Sequence, residues 1–266
     1  MRKPKVALAL GGGTARGLAH IGVIKVLVEK KVPIDFITGT SIGAIVGSFY
    51  AKNLDVFEVE RFALENGNKR IVELLDPSFR FGLIRGRKIE RFLKKHLGEI
   101  SFKDLKIPLI TVCSDLGSGE SVYFSRGDLI KAIRASISIP LVFSPVEHHG
   151  RVLVDGHLSE PVPVSAAINH GADVVIAVNL DYKKKLKSDV SALSFRQVAN
   201  RSTKILLYQL SKSNAEKADV VIAPDIDFYK FADFSSAKNY IEKGEVAARQ
   251  AMPEIKKVLR KHGVKL

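Results

Sequence analysis

The chain has one cysteine, Cys113, in 266 residues. No internal disulfide can form, and a reducing compartment is the natural setting. Long apolar runs are also missing. The basic start Met1-Arg2-Lys3-Pro4-Lys5 leads into an apolar run, Val6 to Leu10, that glycines cut short. A signal-peptide core needs roughly 7–15 apolar residues. The stretch from Ile37 to Ala51 carries Thr, Ser and Gly and falls short of the ~18 residues of a spanning helix. There is no Ser/Gly/Pro linker, internal repeat or low-complexity tract. Together these absences predict one soluble, cytoplasmic domain over residues 1–266. No nucleic-acid-binding signature is present, and no group of residues has metal-ligand spacing. His148 and His149 are adjacent, which predicts a surface pair with diverging rings. Neither a metal nor a cofactor is expected.

What is present suits a soluble globular protein. Hydrophobic residues make up 46% and charged residues 26%, enough to bury a real core. The net charge is +14, which fits a solvated basic surface or an anionic partner. The densest basic run is Lys183-Lys184-Lys185-Leu186-Lys187.

A short buried strand is expected over residues 6–10, then a helix over 15–30 with Leu18, Ile21, Ile24, Leu27 and Val28 at helical spacing. A strand over 35–38 and a helix over 42–52 repeat the pattern. This order predicts an α/β fold, with a central, mostly parallel sheet covered by helices on both faces. Further helices are expected over 54–75, 88–97, 128–135, 163–170, 191–213 and from 235. Further strands are expected over 107–113, 121–124, 152–154, 173–178 and 220–223. Residues 54–100 are expected to form a cap beside the site, with Phe79, Phe81, Leu83 and Ile84 in an irregular stretch among Arg80, Arg85 and Arg87.

Two turns carry chemistry. Gly11-Gly12-Gly13-Thr14-Ala15-Arg16-Gly17 lies between a strand and a helix. Glycines there let successive N–H groups point into one hollow, and the helix N-terminus adds to the field. Such a hollow holds a stable phosphate or a transient oxyanion. A dinucleotide fingerprint fails because Arg16 stands where its third glycine belongs. A Walker loop fails because Leu18-Ala19 follows Gly17.

The second turn, Gly39-Thr40-Ser41-Ile42-Gly43, fits G-x-S-x-G between a strand and a helix, the setting of a nucleophile elbow. It favours the oxyanion reading of the first loop. The N–H of Ile42 is expected to face the same site. A serine needs a base. His148, His149 and His157 lie near a third turn, Asp155-Gly156, at a strand end where a carboxylate can face a crevice.

These residues resemble the patatin-like phospholipase family, in particular its bacterial members related to neuropathy target esterase. The matching segments are Leu8-Ala9-Leu10-Gly11-Gly12-Gly13-Thr14-Ala15-Arg16-Gly17-Leu18-Ala19-His20-Ile21-Gly22-Val23 and Gly39-Thr40-Ser41-Ile42-Gly43-Ala44. Ile133-Arg134-Ala135-Ser136-Ile137-Ser138-Ile139-Pro140, Val154-Asp155-Gly156, Pro161-Val162-Pro163-Val164 and Gly171-Ala172-Asp173-Val174-Val175-Ile176-Ala177-Val178 continue the match. The resemblance covers about residues 5–180 and leaves a basic loop and C-terminal helices over 181–266.

The resemblance implies a Ser/Asp dyad. Ser41 attacks an ester carbonyl, Asp155 takes its proton, and Gly11, Gly12 and Gly13 offer donors to the oxyanion. Arg16 is expected to brace the loop, and Gly17, Gly39, Gly43 and Gly156 to complete the motifs. A carboxylate base works near neutrality when a dry pocket raises its pKa, which suits a lipid site. Thr14 stands where many members have another glycine. His157 stands where they have a small residue, and is expected to be a bystander in its turn. The implied function is hydrolysis of lipid acyl esters, as a phospholipase, lysophospholipase or esterase. The alternatives are a general carboxylesterase with no membrane preference and a non-catalytic regulatory protein on the same fold. The partners implied are a lipid or acyl-ester substrate and peripheral contact with an anionic membrane, without nucleic acid.

Overall fold

The computed structural model describes residues 2–66, 84–181, 194–226 and 234–264. Its centre is an eight-stranded sheet: β1 (Val6–Leu10), β2 (Phe36–Thr40), β3 (Leu109–Asp115), β4 (Ser121–Phe124), β5 (Val146–His148), β6 (Arg151–Asp155), β7 (Val174–Val178) and β8 (Val220–Ile222). The strands run in the order β5-β6-β3-β2-β1-β7-β8, with β4 beside β3. From β3 to β8 the pairings are parallel. The pairings that involve β4, β5 and β6 are antiparallel.

Alternation along β1 sorts its side chains between two cores. Val6, Leu8 and Leu10 join the larger one. It is covered by α1 (Ala19–Glu29), α2 (Ile42–Asn53), α5 (Leu129–Ser136) and the long C-terminal helix α8 (Ala237–Lys261). Ala7 and Ala9 face the other side, where α6 (Val164–Asn169) packs with Ala166 and Ala167. Small residues on that face let the covering segment approach closely.

Most expected elements are in place, with shifted ends. The expected helix over 15–30 begins as a 3-10 turn, Thr14–Leu18, before α1 starts. Asp128 caps α5, its carboxylate accepting from Lys131 N–H. Ser194 opens α7 (Phe195–Ala215) with a capping box completed by Gln197. The short strand β5 was not anticipated. Its sequence, Val146-Glu147-His148, has no apolar alternation, and its side chains are half-buried or exposed.

The expected cap is only partly visible. Phe79, Arg80, Phe81 and Leu83 lie outside the described residues, as do Lys183, Lys184, Lys185 and Lys187. The flanking helices α3 (Val56–Glu65) and α4 (Arg87–Leu97) lie outside the sheet, as expected. They contribute Val56, Val59, Leu93 and Leu97 to the larger core, so they are part of the covering helical layer. The reason is the spacing of their apolar residues, which gives each helix one buried stripe. Ile84 pairs with the loop after α5: its N–H donates to Val142 O at 2.8 Å, and Ser144 N–H donates back to Ile84 O at 2.9 Å. The rings of His148 and His149 do not diverge. His149 has φ 47°, which folds the chain back and brings the ring centroids to 4.2 Å in an edge-on arrangement.

Candidate active site

The strand register builds the site. On β3, Val112 pairs with Thr40 of β2, and the next residue, Cys113, pairs with Asp155 of β6. β4 occupies the opposite edge at both positions. β2 and β6 therefore lie along the same edge of β3 and meet head to head. Ser41 follows directly from Thr40, and Asp155 ends β6, so the two side chains are forced together.

Ser41 has φ 55° and ψ −122° and is 5% exposed. Its hydroxyl donates to Asp155 Oδ2 at 2.7 Å. The main chain at Ser41 is held by Ser136, whose Oγ accepts Ser41 N–H at 2.9 Å and donates to Val112 O at 2.7 Å. Such a turn needs room, and Gly43 supplies it: a Cβ there would lie 2.1 Å from Leu10 O. Added side chains at Gly39, Gly17 and Gly156 would run into the Ala44 backbone, the Ile42 side chain and Val112 O respectively.

Asp155 is 2% exposed. Its other oxygen, Oδ1, accepts His157 N–H at 2.8 Å, which turns Oδ2 toward Ser41. Its main chain is fixed on both sides, by Ser138 O accepting its N–H at 3.0 Å and by Ser114 Oγ donating to its carbonyl at 2.9 Å. Burial pushes the Asp155 carboxyl above the usual aspartate range. The neighbouring His157 and the donors His157 N–H and Ser41 Oγ work against that shift. The result is a dry carboxylate with raised affinity for a proton, facing a hydroxyl.

The glycine loop lies over the same strand ends, but it corrects the expectation of three glycine donors. Gly11 N–H continues the ladder from β1 and donates to Val178 O at 3.1 Å. Gly12 N–H donates to Pro161 O at 2.9 Å. A committed N–H has little left for an oxyanion. Gly13 N–H, Thr14 N–H and Ile42 N–H have no acceptor among the described residues. Thr14 adopts φ 48°, the left-handed conformation for which glycine is the usual choice.

Two further side chains shape the loop. Buried His20 lies 2.7 Å from Gly11 O through Nε2. Desolvation pulls its pKa down to about 4, so the ring is neutral and Nε2–H donates to the carbonyl. Buried Arg16 reaches across to β7's end, donating to Leu180 O at 3.2 Å and to Asp181 Oδ1 at 2.7 Å. His157 was expected to be a bystander, yet its ring faces inward. A Cβ on Gly12 would lie 2.4 Å from its Nδ1, and its Nε2 is 3.7 Å from Asp181 Oδ2.

Four supporting residues carried no assigned role in the sequence: Ser136, Ser138, Arg134 and Asp181. Arg134 is buried and donates to Ser138 Oγ, Arg85 O and Ser144 O at 2.6, 2.8 and 3.0 Å. Arg134 and Ser136 in the last turn of a largely apolar helix, with Ser138 two residues beyond it, were the available signal. Polar residues on a core-facing stripe must find partners. The arrangement can deliver a serine oxygen to an electrophile, take up its proton, and offer N–H groups to a developing anion.

The patatin-like phospholipase family model matches residues 8–168. An NTE family protein of Mycobacterium tuberculosis is 44% identical over 180 residues, 67% of this chain and 49% of its own length. A lysophospholipase, nte1, of Emericella nidulans is 28% identical over 280 residues, 94% of this chain and 18% of its own. This chain thus spans about half the length of the mycobacterial relative and under a fifth of the fungal one. Among solved structures, VipD from Legionella pneumophila superposes with a TM-score of 0.58 at 14% identity, over 93% of this chain and 67% of its own. At that identity the likeness concerns the fold.

Proposed function

Because the chain belongs to the patatin-like phospholipase family, we infer that it hydrolyses carboxylic ester bonds of lipids through Ser41 and Asp155. The observation that carries this reading is the 2.7 Å contact from Ser41 Oγ to Asp155 Oδ2, both groups buried at a strand-to-helix turn. Asp155 takes the hydroxyl proton as Ser41 Oγ attacks the ester carbonyl. The carbonyl oxygen becomes an oxyanion, met by the N–H groups of Gly13 and Thr14 and by that of Ile42 at the start of α2. Collapse of this intermediate expels the alcohol, which carries away the proton held by Asp155, and leaves an acyl ester on Ser41. Asp155 then takes a proton from water as its oxygen attacks the acyl ester; collapse of this second intermediate breaks the bond to Ser41 Oγ, which recovers the proton from Asp155, and frees the acid. His20 and Arg16 position the glycine loop. His157 N–H aims the carboxylate.

Glycerophospholipids and lysophospholipids are the substrate class that the family suggests. A peripheral protein working at the inner face of the cytoplasmic membrane is the form that the sequence supports, through its net charge of +14 and its single, buried cysteine. No helix among the described residues is long and apolar enough to cross a membrane.

The test is labelling with a serine-reactive phosphonate, followed by peptide mapping, beside assays on phospholipid vesicles and on soluble p-nitrophenyl esters. Label on Ser41 together with fatty-acid release from vesicles is the expected result. A protein that neither labels at Ser41 nor releases fatty acid would refute the assignment.

A further inference from the structure

Helix α7 is anchored at one end only. Ser211, Asn214 and Ala215 are buried. Of the side chains described over residues 194–206, all but Arg201 and Lys204 are exposed. Four of the exposed ones are large and apolar: Phe195 at 91%, Leu206 at 70%, Val198 at 47% and Ile205 at 38%. At about 100° per residue they fall within an arc of about 100° on the helix. Ser211, Asn214 and Ala215 project from the opposite side. The stripe, which also carries the exposed Ser202, Gln209 and Ser213, is therefore directed away from the body of the protein.

The charge of the helix is one-sided. Between Phe195 and Ala215 there are Arg196, Arg201, Lys204 and Lys212 and no acidic residue. Lys212 lies 3.7 Å from Glu216, just past the helix end. Exposed apolar side chains on a basic helix are the pattern of an element that lies in a membrane interface. A second copy of the chain is a poor occupant, because two basic helices on molecules of net charge +14 repel each other. An anionic surface is attracted by the same charge.

The buried end of α7 is tied to the candidate active site. Ser211 Oγ donates to Asn179 Oδ1 at 2.8 Å, and Asn179 Nδ2 donates to Ser211 O at 3.2 Å. Asn179 Oδ1 also accepts Asp181 N–H at 2.8 Å, and Asp181 is the partner of Arg16 in the glycine loop. A surface bound by α7 is thus held in fixed relation to the rim of the site.

We propose that α7 docks the protein on anionic phospholipid bilayers, with Phe195, Val198, Ile205 and Leu206 entering the boundary between headgroups and acyl chains. The choice of a bilayer rests on the lipid-ester reading, but docking needs no turnover. The test therefore uses the Ser41→Ala protein, which keeps hydrolysis out of the measurement. Co-sedimentation is compared on phosphatidylcholine vesicles with and without phosphatidylglycerol, at low and high salt. The parent binds the anionic vesicles, and salt weakens that binding. Adding Phe195→Gln and Leu206→Gln weakens it roughly tenfold, since two large apolar side chains no longer leave water. Glutamine keeps the helix propensity, and circular dichroism with a thermal melt checks that both proteins are folded alike. Equal binding by parent and double variant would overturn the proposal, as would equal binding to neutral vesicles. A parent that is dimeric by light scattering and made monomeric by the double variant would assign the stripe to a contact between copies, and would overturn it too.

Discussion

Ser41 carries a backbone conformation that a non-glycine residue keeps only in a tightly determined turn. A non-glycine residue at φ 55° and ψ −122° costs on the order of 1–3 kcal/mol. The surrounding bonds from Ser136 and the close fit of Gly43 under Leu10 hold it there. Ser41→Ala is expected to lower ester turnover by about 10⁴-fold or more while the protein stays folded, measured by initial rates and circular dichroism. Turnover near the parent level would remove Ser41 from the mechanism. Asp155→Asn is expected to be nearly as damaging, because an amide cannot take the proton. The same change should not weaken the fold. Burial raises the Asp155 pKa above its unfolded value, so the ionised form costs stability above the folded pKa and nothing below the unfolded one. At pH 7, urea unfolding of the Asn variant should give a free energy no lower than the parent's. For the parent, kcat/KM should fall about tenfold per pH unit on the acid side, with a midpoint above the ordinary aspartate range. His157→Ala retains the backbone N–H that aims Asp155. Its activity should stay within about tenfold of the parent, whereas loss of a general base costs about 10²–10⁴-fold. A loss on that larger scale would make the His157 ring the base.

Among the elements, the crossing of α1 and α8 is the tightest. Gly22 on α1 faces the Ile241 carbonyl, and a Cβ there would sit 1.9 Å from that oxygen. Gly244 on α8 faces Ala19 O, at 2.0 Å from a would-be Cβ. The two glycines let the backbones touch, and α1 is the helix that continues from the glycine loop. Beside the crossing, Lys25 bridges Glu60 of α3 and Glu245 of α8 at 2.8 and 2.6 Å. Gly244→Ala should destabilise the protein by about 1–3 kcal/mol or more through overpacking, despite the better helix propensity of alanine. Chemical denaturation tests this, and a stabilised variant would mean the helices can part at no cost. The helices themselves were largely legible. α2 was expected over 42–52 and spans Ile42–Asn53, because its apolar periodicity and the preceding G-x-S-x-G turn mark the same start. Periodicity could not reveal the 3-10 turn before α1, since buried Ala15 and Leu18 suit either helix type.

At the scale of the whole molecule, one buried histidine links proton concentration to folding. His20 is fully enclosed, and burial lowers its pKa from 6.5 to about 4. Between those values the unfolded chain binds a proton that the folded chain refuses, so stability falls as the pH drops through that window. The loss reaches about 3 kcal/mol at most, from the size of the shift. His20→Gln, which can still donate to Gly11 O, should flatten the difference between unfolding free energies measured at pH 6.5 and at pH 4. An unchanged slope would mean that other groups set the acid limit. The large core and the sheet tolerate this buried imidazole because its donor is satisfied at 2.7 Å.

The sequence alone determined the local parts of this protein: the strand–glycine–helix turns, the serine at an elbow, the strand ending in Asp155-Gly156, and the α/β order of elements. These depend on short-range sterics and on periodicity, which neighbouring residues encode. Three matters were decided only by tertiary structure. The direction of β6 was one, since nothing in Arg151–Asp155 states that it runs antiparallel to β3 and meets β2 end to end. Which N–H groups of the glycine loop are already committed was another, because Val178 O and Pro161 O claim Gly11 and Gly12 and both lie more than a hundred residues away. The pairing of Arg16 with Asp181 was the third, across 165 positions of chain. A hydrogen bond or ion pair between distant residues leaves no periodic trace in either segment. It exists only once the core has brought the two backbones to the same edge of the sheet.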